Sequence, residues 1–347
     1  MKISGKKIGK ENKPFIIAEI SGNHDGSLSK ALKLIDAAKW AGADAVKLQT
    51  FKPELMTIDS KKKKYLVKHE NKKWSNKSLF DLFKISHTPW EWYEKLRGYS
   101  KKKIILFSSV FDIKSLNFLE SLKFPAYKIA SFENNDLNLI KEVSKKLKPM
   151  IISTGMASLN EISKSHNICK KFLKNNDIAF LKCTSSYPAP IKDSNLKTIL
   201  DMKKNFNCEI GLSDHTIGSL ATITAISLGA TIIEKHICLN NKTGIDSFFS
   251  STPDEFKSLV NDAYISWKSL GKIVYGASMS EKKSIKNRRS LFALRDIERD
   301  EKFTKKNIIS LRPSIGIDSQ FYSSVINKRS KKKIKKNEPL KWKFIKK

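Results

Sequence analysis

Eight short apolar runs between Phe15 and His236 each end in polar side chains, and this regularity confines the chain to very few folds. FIIAE closes at Glu19, AVKLQ holds Lys47 and Gln49, IILFSS ends in Ser108 and Ser109, and AYKIAS holds Lys128 and Ser131. MIISTG then carries Ser153 and Thr154, AFLKCTSSY carries Lys182, Thr184 and Ser185, EIGLSDH carries Ser213 and His215, and TIIEKH carries Glu234 and His236. Segments of helical period, LSKALKLIDAAKWAG and LNEISKSHNICKKFL among them, separate most of the runs. Alternating strand and helix builds a parallel sheet. Eight such units predict a closed (β/α)8 barrel, whose strands are apolar on both faces and whose carboxyl ends open onto the active-site loops. Alternate residues of a strand share a face. Lys47 with Gln49, Ser213 with His215, and Glu234 with His236 are therefore each expected to point one way. One strand-end Ser, Lys or His taken alone reads as a cap or a satisfied loop group; eight clusters at the same end do not.

At 347 residues the chain is long enough for a barrel and a second unit of about 60 residues. The polar stretch KIVYGASMSEKKSIKNRRS, after SWKSLG, reads as a linker, and the short β-prone runs beyond it as a compact module. One βα connection is unusually long. Residues 52–100 contain NKSLFDLFKIS and TPWEWYEKLRGYS, of which the second is expected to be the barrel helix and the rest to form a lid. No apolar stretch is long enough to span a bilayer and the N-terminus has no signal-peptide core, so a cytoplasmic protein with no membrane partner is expected. Cys169, Cys183, Cys208 and Cys238 show no C-x-x-C spacing and read as buried free thiols without chemistry. The formal charge of +33, from 67 basic and 34 acidic residues, raises nucleic acid as a partner. The lysines are spread along the whole chain, and the runs at 61–64, 101–103 and 329–336 lack the aromatic platforms of single-strand binders. No specific nucleic-acid site is expected, although a positive field helps an anionic substrate arrive.

The phrases AEISGNHDG, GADAVKLQTF, TPWEW, YKIASFE, IISTGMAS, CTSSYPAP, IGLSDHTIG, EKHICLN and RRSLFALRDIERDEKF with SLRP, in this order, resemble the sialic acid synthase family. Within it, SGNH, TPWEW and IASFE look more like pseudaminic acid synthases than N-acetylneuraminate synthases. The resemblance implies a barrel over 1–272, a linker over 273–287 and an antifreeze-like (SAF) domain over 288–347. It implies condensation of phosphoenolpyruvate with an N-acetylated amino sugar, here a diacetamido-trideoxy-altrose, to a nine-carbon keto acid. N-acetylmannosamine or the legionaminic precursor is the alternative sugar. It also implies a domain-swapped homodimer in which Arg312 of one subunit reaches the sugar in the other.

Such chemistry can be set against residue types. His215 and His236 are the expected ligands of a divalent metal, Mn2+ or Mg2+, with Co2+ possible, which polarises an aldehyde. A phosphate and a carboxylate call for fixed cations and short donors: Lys47 and Lys128 for the first, Ser109, Ser131, Ser153, Ser185 and Ser213 for the second. Glu19, Gln49, Tyr187 and Asp246 fall on family positions that bind the sugar. Glu133 is the candidate for managing a proton during water attack, with Glu19 as the alternative. Lys182 stays unassigned, and His24 either shapes the site or only its turn. Asp25, Asp300 and Asn337 stand where the family often has Asn or Gly, and each is expected to adopt left-handed backbone geometry.

Overall fold

The computed structural model describes residues 1–346. The eight runs form parallel strands β1 (Phe15–Glu19), β2 (Ala45–Thr50), β3 (Ile105–Val110), β4 (Tyr127–Ile129), β5 (Met150–Ser153), β6 (Ile178–Cys183), β7 (Glu209–Asp214) and β8 (Ile232–His236). Each pairs with its neighbours in sequence, and β8 pairs with β1, which closes the barrel. A helix follows every strand: α1 (Leu28–Trp40), α2 (Tyr93–Ser100), α3 (Ile113–Ser121), α4 (Leu137–Ser144), α5 (Leu159–Cys169), α6 (Thr198–Asn205), α7 (Leu220–Ser227) and α8 (Pro253–Leu270). The starts are written locally. Ser158 with Glu161 and Thr252 with Glu255 form capping boxes, the second with Pro253 in the first turn. Gly271, at φ 52°, ends α8 in a conformation that suits glycine.

Outward side chains of the strands pack under the helices, as with Ala31, Leu34, Ile35 and Ala38 of α1, each fully buried. Each buried Leu or Ile contributes roughly 1.5–3 kcal/mol. Helix α2 is docked by a polar contact: Thr50 Oγ1 lies 2.6 Å from both Tyr93 Oη and Ser108 Oγ, all three fully buried. Ser108 therefore points away from the barrel interior. On the inner face Phe107, Ile151 and Leu181 form an apolar floor below the polar strand ends. Gly211 makes room for it, since a Cβ there would lie 2.6 Å from Leu181 Cδ2 and 2.3 Å from the Ile232 carbonyl oxygen.

The long connection after β2 begins with a short helix at Pro53–Met56 and includes another at Leu79–Ser86. Between them residues 66–78 turn back on themselves, with an antiparallel bridge between Leu66 and Ser78 and a 2.8 Å hydrogen bond from Val67 N to Lys77 O. TPWEWYEKLRGYS supplies the barrel helix, which starts at Tyr93 after a 3-10 turn at Trp90–Trp92.

The chain divides into two compact units, Met1–Gly271 and a second that starts at Lys272. Residues 271–289 are exposed. The second unit pairs β9 (Ser290–Ala293) antiparallel with β10 (Ile308–Leu311) over a small core that includes Leu291, Phe303, Ile317, Val325 and Leu340. Asp25, Asp300 and Asn337 adopt φ of 48°, 66° and 65°, the left-handed geometry expected of them. Among the described residues no helix is long and apolar enough to cross a membrane.

Candidate active site

At the carboxyl ends of the strands the barrel interior holds a buried charge network. Register places Glu19 beside Lys47, Ser109 beside Lys128, and Ser213 beside Glu234, so these side chains share the inner face. Lys47 Nζ pairs with Glu19, donates to Ser109 Oγ at 3.0 Å and lies 3.7 Å from Glu234 Oε2. Lys128 Nζ donates to Ser153 Oγ at 2.6 Å and lies 3.5 Å from Glu234 Oε1, which also accepts from Ser213 Oγ at 3.0 Å. Burial opposes every charge here, and the partners decide the outcome. Burial holds the Lys128 ammonium below its usual range, with Glu234 opposing. At Lys47 the two carboxylates overcome burial and raise it. Burial is outweighed at Glu234, held down by Lys128 and Lys47, whereas at Glu19 burial prevails over Lys47 and the carboxyl is raised. Glu234 is thus the shared counterion of both lysines.

Two imidazoles stand on the neighbouring strand ends. The rings of His215 and His236 lie 5.3 Å apart, centroid to centroid, and both are buried. His215 Nδ1 is 2.9 Å from the Thr184 carbonyl; donation there leaves Nε2 with its lone pair. Burial, reinforced by His215, pushes His236 well below the usual imidazole range, and its buried Nδ1 has no partner. The pair of imidazoles, with the partnerless Nδ1 of His236, fits a divalent ion that completes its shell with water or substrate. No group of three or more His, Cys, Asp or Glu side chains is arranged to hold a metal among the described residues, so the protein's own share is the imidazole pair.

The remaining predicted residues line the rim. Ser21 joins two of them: its N–H donates to Glu19 Oε1 at 2.6 Å and its hydroxyl to Asp246 Oδ2 at 2.5 Å. The Tyr187 ring lies 4.4 Å from that of His215. Gln49, half-buried, shares its strand face with Lys47 and is in register with Ser109. Ser131 Oγ accepts from Gly155 N at 3.1 Å, and a Cβ on Gly155 would lie 2.8 Å from that oxygen and 2.2 Å from Ser185 Oγ. Glycine there lets two hydroxyls and a backbone N–H converge. Glu133, in the 3-10 turn Ser131–Glu133, has a buried oxygen without a partner, and burial pushes its carboxyl up to about 7 against the pull of Lys128. Arg312 follows β10 in the second unit, where it is exposed.

Some residues were misread or missed in sequence. Lys182 alternates with Cys183 and faces outward, donating to the Cys183 carbonyl at 2.8 Å and to Thr184 Oγ1 at 3.1 Å. Cys183 is a buried free thiol, as read, but it borders the site. It is in register with Ser213, and its Sγ lies 3.8 Å from both His215 Nδ1 and Ser185 Oγ. Burial raises its thiol, but His215 and Ser131 bring it down to about 7. Cys208 is only partly buried, and all four cysteines are free. Strand parity was the signal for Cys183 and Glu234. His24 belongs to its turn: it is fully buried, accepts from Gly26 N at 3.1 Å and packs edge-on against Trp92. Phe132 is exposed.

Comparison with known proteins finds relatives over most of the chain. The NeuB family model matches residues 34–275 and the SAF domain model residues 288–346. The chain is 43% identical over 336 residues to a pseudaminic acid synthase of Campylobacter jejuni, covering 95% of this chain and 96% of the relative. It is 37% identical over 331 residues to an N,N'-diacetyllegionaminic acid synthase of the same species, covering 94% and 98%. The crystal structure of an N-acetylneuraminic acid synthetase from Leptospira borgpetersenii, in complex with citrate, superposes with a TM-score of 0.72 at 33% identity, covering 82% of this chain and 94% of that one.

Proposed function

The chain belongs to the NeuB family and carries a SAF domain, and from that premise we propose that it is a pseudaminic acid synthase. It condenses phosphoenolpyruvate with a diacetamido-trideoxy-altrose and water to give pseudaminic acid and phosphate. One observation carries the reading: two buried ammonium groups, Lys47 and Lys128, converge on Glu234 beside a buried pair of imidazoles. A doubly anionic substrate finds in this pair of ammonium groups two fixed cations for its phosphate and carboxylate.

Lys47 and Lys128 meet the phosphate and carboxylate, while Ser109 and Ser153, whose oxygens accept from these lysines, and Ser131 and Ser185 at the rim donate to the substrate's oxygens, joined by Ser213 when its hydroxyl turns from Glu234. C3 of phosphoenolpyruvate attacks the aldehyde carbon and the aldehyde oxygen takes up a proton. Water adds at C2, and the C2–O bond then breaks to release phosphate. Glu133, with its carboxyl near neutrality, receives the water proton; Glu19 is the alternative. Glu19, Gln49, Tyr187 and Asp246 orient the sugar, joined by Arg312 of the partner subunit in a domain-swapped homodimer. His215 and His236 would hold Mn2+ or Mg2+, with Co2+ as a further candidate. When bound, the ion supplies Lewis-acid polarisation of the aldehyde. Exposed Ile191, Ile217 and Leu220, which line a cleft of about 1060 Å3 beside Tyr187, support burial of this rim in an assembly. The reading includes a cytoplasmic location.

Phosphate release measured with phosphoenolpyruvate and each of three sugars tests the substrate. The altrose derivative is expected to give a kcat/KM at least about 100-fold above N-acetylmannosamine and the legionaminic precursor, the scale set by hydroxyl and amide recognition. Preference for either of the other two would overturn the assignment.

A further inference from the structure

The 66–78 hairpin does not hang free over the barrel mouth. Its Trp74 ring packs against Tyr187 (5.5 Å between centroids), Phe248 (5.5 Å) and Phe249 (6.0 Å), and its indole N–H donates to the Ile245 carbonyl at 3.1 Å. Lys73, next in the chain, donates to the Gly244 carbonyl at 2.8 Å and to Ser247 Oγ at 2.7 Å. His69 Nδ1 accepts from Asn71 N at 2.9 Å, so the ring proton sits on Nε2 and donates to the Tyr187 carbonyl at 3.0 Å. One hairpin thus grips two loops: 184–190, which carries Tyr187, and 243–250, which carries Asp246. From the barrel side the second loop is held by Asn23, which accepts from Asp246 N at 3.1 Å and donates to Ser250 Oγ at 2.9 Å. Asn23 does not reach Tyr187. The two loops also meet directly, Tyr187 packing on Phe249 at 5.1 Å between centroids, and the Trp74 ring of the hairpin packs against both rings of that contact.

We infer that residues 66–78 act as a strap that sets the spacing of Tyr187 and Asp246, and that Trp74 is its positioning residue and so a determinant of sugar specificity. The inference rests on the sugar being held by these two side chains. Its physical basis is entropic: a rigid bicyclic ring packed against the aromatic side chains of both loops removes conformational freedom before the ligand arrives. Lys47, Lys128, Ser109, Ser153 and Ser213 sit on strands, and of the phosphoenolpyruvate groups only Ser185 lies in a gripped loop, so phosphoenolpyruvate binding depends on the strap far less than sugar binding does.

The test combines steady-state kinetics with amide hydrogen exchange on the full-length protein as Trp74→Ala and Trp74→Phe. Trp74→Ala is expected to raise the sugar KM about tenfold, with kcat and the phosphoenolpyruvate KM changed by less than about twofold, from lost ring packing and one hydrogen bond. Trp74→Phe keeps the packing, loses the N–H, and should restore most of the sugar KM. Peptides covering 184–190 and 243–250 should exchange faster in Trp74→Ala while those covering β3 do not. A sugar KM unchanged in Trp74→Ala, or a phosphoenolpyruvate KM that rises equally, overturns the inference. If the wild-type protein turns over none of the three sugars, the proposed function fails; unchanged exchange in both loops then sinks the strap independently.

Discussion

Glu133 shows how burial and function pull against each other at a single residue. Its carboxyl is pushed from 4.5 up to about 7 because burial outweighs the nearby lysines. The folded state therefore binds this proton more tightly than the unfolded chain. Its stabilising effect is fully present below about 4.5 and is lost as pH rises through about 7. Glu133→Gln is uncharged at every pH, so its melting temperature should gain on the wild type as pH rises across that window. The same variant should lose about 100-fold or more in kcat, the scale of general acid–base catalysis, and the limb near neutrality in the pH profile. Unchanged turnover removes the role. Strand parity made the inward lysines, serines and imidazoles legible from the sequence. Glu234 stood in the same pattern but had no role, because its importance comes from two lysines on other strands, and that convergence exists only once the sheet closes. Cys183 is the buried free thiol that the sequence suggested, while its apolar neighbourhood in sequence hid a face turned toward His215.

At the scale of elements, the apolar runs were legible because a barrel strand is buried on both faces and so reads as uninterrupted hydrophobicity. Every run in the sequence became a strand of the closed sheet. The insert resisted. TPWEWYEKLRGYS carries a helical period and does form α2, whereas the 66–78 hairpin, rich in Lys, His and Asn, has no period, and its shape is fixed by contacts with distant loops. The docking of α2 shows how a local polar contact holds an element. Tyr93→Phe removes the hydroxyl that bonds Thr50 Oγ1 and donates to the Gln49 carbonyl, leaving each of those oxygens one partner short. It should cost about 1–2 kcal/mol in denaturant unfolding while leaving both substrate KM values in place. A loss below the error of measurement would show that packing alone seats the helix.

At the scale of the molecule, sequence pattern pointed to a second unit, and the family resemblance to left-handed turns at Asp300 and Asn337. The pattern offered no physical reason for Arg312 to matter, since an exposed Arg before Pro looks like ordinary surface charge. Its assignment came from family resemblance, and complementation tests it. Arg312→Ala and Glu133→Gln, each inactive alone, are mixed after reversible dissociation. If the arginine acts in its partner's site, heterodimers restore one intact site each and the mixture recovers about a quarter of wild-type activity, by the symmetry of a two-site dimer. No recovery would place the arginine in its own subunit's site or outside catalysis. The most direct test of the whole account uses purified protein, Mn2+, the diacetamido-trideoxy-altrose and phosphoenolpyruvate labelled with oxygen-18 at the C2–O–P bridge, followed by mass spectrometry of both products. The charge network and imidazole pair predict a nine-carbon keto acid free of label and phosphate carrying it. Absence of the keto acid, or label retained in it, would contradict the account.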